Sequence, residues 1–188
     1  MLDTIKPWTI LEEQDVSPSP WFPVTRQKVQ LPNGHVVDDY YVSQLGDVVQ
    51  VLAITQDNQI VLTRQYKHGI GEILIEVPGG MQQKGKTLLQ SAIAELEEEC
   101  GIKAAEADLK LIGKIAINPT KLKQVTYGYI LLNAQFNSVQ KFDVTENIEV
   151  ITIPAAEVLQ MVDKGEIWVT DSMNFILMAA RQYPEVFK

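Results

Sequence analysis

The chain has 188 residues, 46% of them hydrophobic and 21% charged, which is enough for one well-packed domain with a small appendage. A net charge of −8 without a lysine–arginine cluster argues against binding to nucleic acid or anionic membranes, but a bound metal still permits a small phosphorylated substrate. No apolar run approaches the roughly 18 residues of a membrane span, no secretory signal is recognisable, and the single Cys100 suits a reducing cytoplasm, so we expect a cytoplasmic protein.

Strands are predicted over most of the chain. A proline-rich, linker-like stretch at 17–23 precedes two strands that flank Asn33-Gly34, a strong hairpin signal. A second pair flanks the turn at 56–58. A further short strand ends at the glycine-rich turn Gly79-Gly80. The predicted strands are 24–31, 35–42, 47–54, 59–66, 73–78, 110–117, 125–136 and 148–153.

Three helices are predicted between and after these strands. The first runs from about Thr87 to Cys100, and the second begins with Pro154 in its first turn and ends before Gly165 at the C′ position. The third is capped by Asp171 and stopped near residue 184. This pattern predicts a mixed α/β sandwich.

The first helix is the best defined of the three. Thr87 and Gln90 have the spacing of a capping box, and Gly101 is a C-terminal stop. Apolar residues recur at helical spacing and form one stripe, roughly 100° wide, that must pack on the sheet. The stripe consists of Leu89, Ala92, Ile93, Leu96 and Cys100.

Four glutamates crowd the last turns of this helix. Glu95, Glu98 and Glu99 stand at i, i+3 and i+4 and converge beside the apolar stripe, whereas Glu97 is predicted to face solvent. Their mutual repulsion and the negative helix end are unfavourable, and no lysine or arginine within the helix stands at i±3 or i±4 to relieve them. A solvated acidic helix end is the simpler interpretation. The directional cluster after a strand and a glycine-rich turn favours a divalent cation bound through oxygen ligands.

The segment from Gly80 to Ile102 resembles the Nudix box, G-x5-E-x7-R-E-U-x-E-E-x-G-U with U aliphatic. Two positions depart from the pattern, because Lys86 replaces its first glutamate and Ala94 replaces its arginine. In the family these two residues form a scaffold ion pair, so their joint loss is interpreted as a rewired scaffold.

The resemblance implies the metal ligands. Glu95 and Glu99 are the expected main ligands, with Glu98 assisting directly or through water, and the carbonyl of Gly79 is a further candidate. Mg²⁺ is the expected cation, with Mn²⁺ as an alternative.

The resemblance also covers the stretches at 62–80, 141–150 and 161–171, which are similar to the ADP-ribose pyrophosphatase branch. It implies a Nudix-type α/β/α sandwich around a mixed sheet at 46–188. It further implies an N-terminal β-hairpin extension at 1–45 that forms a homodimer.

The activity implied by this branch is hydrolysis of the diphosphate bond of ADP-ribose or a related nucleoside-diphosphate sugar. Glu146, in a later loop, is the expected catalytic carboxylate together with Glu98, although a solvent-exposed loop residue is an equal alternative. Glu149 is a weaker candidate for this role.

Substrate contacts are also implied by the resemblance. Arg64 and Lys67 are expected to bind phosphate, with ordinary surface charge as the alternative, and Glu76 is expected to help position ligands. Aromatic side chains of the N-terminal region are expected either to stack on the base or to be structural. The stacking candidates are Trp21 and Tyr41, together with Tyr40.

Two other functions remain open. The departures at Lys86 and Ala94 also suit a catalytically weakened Nudix module that binds a nucleotide as a sensor. A triphosphate-hydrolysing or RNA-decapping enzyme shares the box, but the acidic composition and the flanking stretches disfavour it.

Overall fold

The computed structural model describes residues 5–188 and separates into two compact units. The first unit contains the chain up to Gly46 and the segment Ala116–Gln124, and the second contains Asp47–Ile115 and Val125–Lys188. The strands β1 to β10 are Thr9–Asp15, Val24–Gln30, Val36–Ser43, Val48–Thr55, Gln59–Lys67, Glu72–Glu76, Gly79–Met81, Leu109–Ile115, Thr126–Ala134 and Ile148–Pro154. The helices α1 to α3 are Leu88–Cys100, Ala155–Asp163 and Thr170–Gln182, and a 3₁₀ turn lies at Glu106–Asp108.

The first unit is built on an antiparallel sheet in the order β1–β2–β3. The predicted hairpin is confirmed, because β2 pairs with β3 across a turn in which Gly34 has a φ of 86°. A third strand, β1, was not predicted. The prediction of a linker at 17–23 is wrong, because Ser19 and Phe22 form a β-bridge with each other within the turn that joins β1 to β2.

The Tyr40 side chain packs against other residues of this unit. Its ring meets the ring of Trp8 edge-on at a centroid distance of 5.5 Å, and Lys121 Nζ lies 4.3 Å from the Tyr40 centroid. The Tyr40 hydroxyl donates to the carbonyl of Thr120. The segment at 116–124 is therefore held to β3 by contacts of this side chain.

The second unit contains a seven-stranded mixed sheet. Its main path is β10–β5–β4–β9–β8, with β6 beside β5 and β7 beside β4, and β4 runs parallel to β9. The predicted strands in this region are confirmed with shifts of one or two residues at most ends. The prediction of a turn at Gly79-Gly80 is wrong, because both glycines lie in β7 and pair with Gln50 and Val49 of β4.

Helices cover both faces of this sheet. On one face α1 packs against buried residues that include Val49, Val51 and Tyr129. On the other face α2 and α3 pack against residues that include Leu52 and Ile130. This arrangement confirms the predicted α/β/α sandwich around a mixed sheet. Among residues 5–188, no helix is long and apolar enough to cross a membrane.

The ends of α2 and α3 follow the predictions in part. Gly165 has a φ of 74° just after α2, as predicted for a C′ glycine, and Pro154 immediately precedes the first helical residue. Asp171 is not the cap of α3, because the helix begins at Thr170 with Val169 at the N-cap. Asp171 lies in the first turn, where its Oδ1 accepts a hydrogen bond from the amide of Ser172.

Candidate active site

Helix α1 brings Glu95, Glu98 and Glu99 to one pocket, as the sequence predicts. Thr87 and Gln90 form the reciprocal capping box, and Gly101 adopts a φ of 66° at the other end. Leu96 and Cys100 are buried, which confirms that Cys100 belongs to the core. Because this stripe packs on the sheet, the helix face that carries the carboxylates beside it is held towards β7.

Glu99 is the most buried of the glutamates in this helix. Its side chain is only 4% exposed, and its Oε2 accepts a 2.8 Å hydrogen bond from the amide of Gly79. Burial raises the pKa of Glu99 to about 8, an effect that the Gly79 amide opposes and that the charges of Glu95 and Glu146 increase. The fold therefore keeps a carboxyl group at a position where its negative charge is poorly compensated.

Glu95 lies directly against the backbone of β7. A Cβ atom on Gly80 would stand 2.5 Å from Glu95 Oε2, so only glycine leaves room for this carboxylate. Burial raises the pKa of Glu95, and the charges of Glu98 and Glu146 raise it further.

Gln83 is a member of this cluster that sequence reasoning missed. Its Nε2 donates to Glu95 Oε1 at 3.0 Å and to Glu98 Oε2 at 3.2 Å. Its Oε1 accepts from Lys86 Nζ, one of the two positions that depart from the box. The other, Ala94, lines a neighbouring cavity of about 200 Å³. A polar residue in a loop carries no periodic signal, and only the loop's return onto α1 brings it here.

These carboxylates open into a pocket of about 620 Å³. Its lining includes the predicted residues Glu95, Glu98, Glu99, Glu146, Gly79 and Lys67. The structure thus brings together all four predicted metal residues, the predicted catalytic loop residue and one of the two predicted phosphate contacts. Their roles in binding and catalysis remain predictions.

The loop that carries Glu146 is anchored on the end of α1. The amide of Lys141 donates to the carbonyl of Glu98 at 2.9 Å, and Gln140 Nε2 donates to the carbonyl of Glu99 at 2.7 Å. Glu146 itself accepts a 2.8 Å hydrogen bond from the amide of Asp143. The loop therefore satisfies helix carbonyls that would otherwise lack donors, and it holds Glu146 at the pocket.

The predicted solvent-facing orientation of Glu97 is wrong. Glu97 is half-buried, and its Oε1 accepts a 2.7 Å hydrogen bond from Ser138 Oγ. The same loop that brings Glu146 to the pocket also crosses the helix end and covers Glu97.

The two predicted phosphate contacts both lie on β5, but their side chains point to opposite faces of the sheet. Lys67 forms a 2.7 Å ion pair with the buried Glu76 at the pocket. Arg64 is an odd number of residues away along β5, so its side chain points to the opposite face of the sheet, where it pairs with Glu149 at 2.8 Å. The structure does not bring Arg64 into the carboxylate cluster.

Trp21 and Tyr41, the predicted base-stacking residues, belong to the first unit. Trp21 is 91% exposed and Tyr41 is 46% exposed. Neither side chain is used in packing to the extent that Tyr40 is, and their part in substrate binding remains a prediction.

The donor set of the pocket fits a hard divalent cation. Within residues 5–188, no three His, Cys, Asp or Glu side chains converge as ligands of a single metal ion. Instead, Glu99 accepts a hydrogen bond from the amide of Gly79, and Glu95 accepts one from the side chain of Gln83. Oxygen donors, burial and mutual repulsion among Glu95, Glu99 and Glu146 are nevertheless the features that a cation with oxygen ligands would satisfy.

The α/β/α sandwich places the acidic end of α1 against the two glycines of β7. Comparison with known families shows which class of protein has this arrangement. The model of the NUDIX domain matches residues 44–171, so the chain belongs to the Nudix family. The predicted membership and the prediction of a Nudix hydrolase are both confirmed. A second model, the nucleoside diphosphate sugar hydrolase N-terminal domain, matches residues 8–43 and indicates the branch.

The chain is also similar to individual known proteins. The methanol dehydrogenase activator of Bacillus methanolicus is 28% identical over 161 residues, which cover 85% of this chain and 84% of that protein. The ADP-ribose pyrophosphatase of Bacillus subtilis (strain 168) is 26% identical over 143 residues, or 76% of each chain. A crystal structure of an ADP compounds hydrolase has a TM-score of 0.84 at 19% identity, covers 97% of both chains, and shows the same fold.

Proposed function

We propose that this Nudix hydrolase cleaves the diphosphate bond of ADP-ribose or a related nucleoside-diphosphate sugar. The observation that carries the proposal is the packing of the half-buried Glu95 and the buried Glu99 against the backbone of β7, in a pocket shared with Lys67 and Glu146. The match to the nucleoside diphosphate sugar hydrolase N-terminal domain and the similarity to an ADP-ribose pyrophosphatase support the substrate class.

Glu95 and Glu99 are the proposed holders of a divalent cation, with Glu98 and the carbonyl of Gly79 as further ligands. We propose Mg²⁺, with Mn²⁺ as an alternative, because both accept oxygen ligands. A cation bound there supplies the positive charge that neutralises the diphosphate and stabilises the departing phosphate.

The other pocket residues have distinct proposed roles. A water oxygen attacks phosphorus and the bridging phosphorus–oxygen bond breaks, while Glu146 accepts the proton of the water with the help of Glu98. Lys67 contacts a phosphate oxygen. Glu76 holds the Lys67 ammonium in place until the more highly charged diphosphate competes for it. The roles of Arg64, Trp21 and Tyr41 in substrate binding stay as predicted from the sequence.

The substrate class is tested with a panel assay on the purified chain. With ADP-ribose and Mg²⁺ we expect AMP and ribose 5-phosphate, and a chelator should abolish their formation. Other nucleoside-diphosphate sugars form the second arm, and a nucleoside triphosphate and a capped RNA form the third. Turnover confined to the third arm would contradict the proposed substrate class.

The sensor hypothesis predicts a different result in the same assay. A nucleotide sensor would be stabilised against heat by ADP-ribose but would form no product across the whole panel. The two departures from the box, Lys86 and Ala94, motivate this alternative. Any turnover that disappears with chelation would exclude it.

We further propose that residues 1–45 are a dimerisation element next to a hydrolase domain at 46–188. All seven residues of β1 are exposed, and among its apolar side chains Ile10 is 55% and Leu11 46% exposed. Phe22, in the following turn, is 50% exposed. Exposed apolar side chains on β1 and the following turn are typical of a surface that a second copy covers.

The dimer proposal predicts a mass near twice 21.1 kDa in sedimentation. Replacing Ile10 and Leu11 together by glutamate should give monomers, because burying these charges in an interface is unfavourable. The change Gln14→Glu adds charge to the same exposed strand without removing an apolar side chain, so it should weaken the dimer far less. A wild-type monomer at micromolar concentration would contradict the proposal.

Two further expectations concern where the protein acts and what it binds. A cytoplasmic location is supported by Cys100, the single cysteine of the sequence, which is free and buried. The absence of nucleic-acid partners is supported by the net charge of −8.

A further inference from the structure

Gln83 stands between a lysine and two glutamates of the proposed metal site. Both hydrogens of its amide nitrogen are used, one on Glu95 and one on Glu98, at 3.0 and 3.2 Å. Its amide oxygen faces Lys86 Nζ. The backbone amide of Gln83 also donates to Ser91 Oγ at 3.0 Å, which ties the loop to α1.

The chemistry of these groups allows only one orientation of the Gln83 amide. An ammonium only donates hydrogen bonds, and an ionised carboxylate only accepts them. The amide therefore has to turn its oxygen to Lys86 and its nitrogen to the glutamates. In a flipped amide the nitrogen would face the Lys86 ammonium, donor against donor, and the oxygen would face the carboxylates, acceptor against acceptor. Lys86 selects the orientation in which Gln83 contacts both carboxylates.

The carboxylates need such a partner. Glu95 and Glu98 are like charges at i and i+3 on one helix, and no salt bridge within residues 5–188 reaches either of them. Ala94 leaves a cavity of about 200 Å³ beside Lys86 and Glu98 where a longer side chain would fit. In the described part of the chain, Gln83 is the only side chain that donates hydrogen bonds to both carboxylates.

We propose that Gln83 is a positioning residue that sets Glu95 and Glu98 side by side for the cation, and that Lys86 acts through Gln83. The inference rests on the proposed function, because it presupposes that these glutamates bind a divalent cation.

The experiment is a double-mutant cycle read out as cation affinity. Calorimetric titration with Mg²⁺ and with Mn²⁺ is carried out on the wild type, Gln83→Met, Lys86→Met and the double variant. Lys84→Met is the matched control, since Lys84 is exposed in the same loop and forms no salt bridge within residues 5–188. Methionine preserves most of the volume of either side chain and removes its hydrogen bonds.

We expect Gln83→Met to weaken cation binding by about tenfold or more, as is typical when an outer-shell partner is lost. Lys86→Met should weaken it less, because it also removes a positive charge that repels the cation. The double variant should bind no more weakly than Gln83→Met alone, and Lys84→Met should match the wild type. Turnover of Gln83→Met should recover in excess Mg²⁺, because the defect is in cation binding. Thermal unfolding of each metal-free variant verifies that the fold is retained.

The outcomes separate the inference from the function that it rests on. A wild type that binds neither cation would overturn both. Wild-type binding with an unchanged Gln83→Met affinity would overturn the role of Gln83 alone. Losses that add in the double variant would overturn the claim that Lys86 acts through Gln83. If Gln83→Met does not fold, Gln83→Asn provides the same comparison, because its shorter amide cannot reach both carboxylates.

Discussion

Replacing Glu99 by glutamine is expected to lower turnover by about 100-fold or more and at the same time to stabilise the metal-free protein at alkaline pH. The loss of turnover follows if Glu99 is a main ligand of the cation. The gain in stability follows because Glu99 is 4% exposed and its charge is poorly compensated. Glutamine keeps an oxygen that accepts the hydrogen bond from Gly79 and removes the charge.

The pH window follows from the direction of the pKa shift. Burial raises the folded-state pKa of Glu99 from an ordinary value near 4.5 to about 8. The folded state therefore binds this proton more tightly than the unfolded state does. The resulting stabilisation is fully present below about pH 4.5 and is lost as the pH rises towards 8. Within that window a single group of this kind lowers the free energy of unfolding by about 1.4 kcal/mol per pH unit.

Denaturant unfolding of the wild type and Glu99→Gln at several pH values between 5 and 9, without metal, measures this effect. The unfolding free energy of the variant should fall less steeply with pH, and its advantage should be largest at the alkaline end. Mg²⁺ should stabilise the wild type more at pH 8 than at pH 5, because the ionised carboxylate is the ligand, and should barely stabilise the variant. Glu97→Gln is the control, since it removes a charge from the same helix turn outside the pocket. Parallel pH profiles for wild type and Glu99→Gln would contradict a buried, poorly compensated Glu99.

The helix that carries Glu99 was predictable because its signals are local. Thr87 and Gln90 cap it, Gly101 ends it, and the apolar stripe between them fixes which side faces the sheet. Once that side is known, the positions of Glu95 and Glu99 follow from helical geometry. The hairpin at Gly34 was predictable for the same reason, since the turn residues lie next to each other in the chain.

Strands stabilised by their neighbours escaped prediction. The strand β1 has seven exposed and mostly polar residues, so it lacks the apolar alternation that marks a half-buried strand, and its order comes from pairing with β2. The strand β7 begins with two glycines, which disfavour strands in general, and it forms because β4 pairs with it. The parallel pairing of β4 with β9 likewise joins segments far apart in the chain.

Several features of the site also depend on contacts that no local pattern contains. Gln83 reaches Glu95 only because its loop folds back on α1. Glu97 is covered because a distant loop places Ser138 over the helix end. Arg64 matches a basic position in sequence, but the alternation of β5 turns it away from the pocket. The composition of the site was thus predictable from the helix, while its supporting contacts required the fold.

Replacing the adjacent glycines Gly79 and Gly80 by alanine is expected to have different effects: Gly79→Ala should lower stability, whereas Gly80→Ala should mainly lower turnover. A Cβ on Gly79 would stand 2.1 Å from the carbonyl oxygen of Val49, and Gly79 has a φ of 155°, a conformation that L-residues rarely adopt. Neither the backbone of β4 nor that of β7 can move without breaking their pairing. Gly79→Ala should therefore cost about 3 kcal/mol or more of unfolding free energy, or prevent folding.

A Cβ on Gly80 meets only the end of a flexible side chain, Oε2 of Glu95 at 2.5 Å. The carboxylate can swing aside, so Gly80→Ala should cost only about 1 kcal/mol of stability. The displaced ligand should nevertheless lower turnover by about 100-fold, as misplacement by about an ångström does at a reacting centre, and should weaken Mg²⁺ binding. Urea unfolding, Mg²⁺ titration and turnover on both variants measure this difference, with Gly69→Ala as a control for glycine replacement outside the cluster, because Gly69 has no positive φ and its Cβ would meet open space. A stable Gly80→Ala enzyme with wild-type turnover would show that Glu95 does not need its place against β7, and the metal site would then have to be built on Glu99 without it.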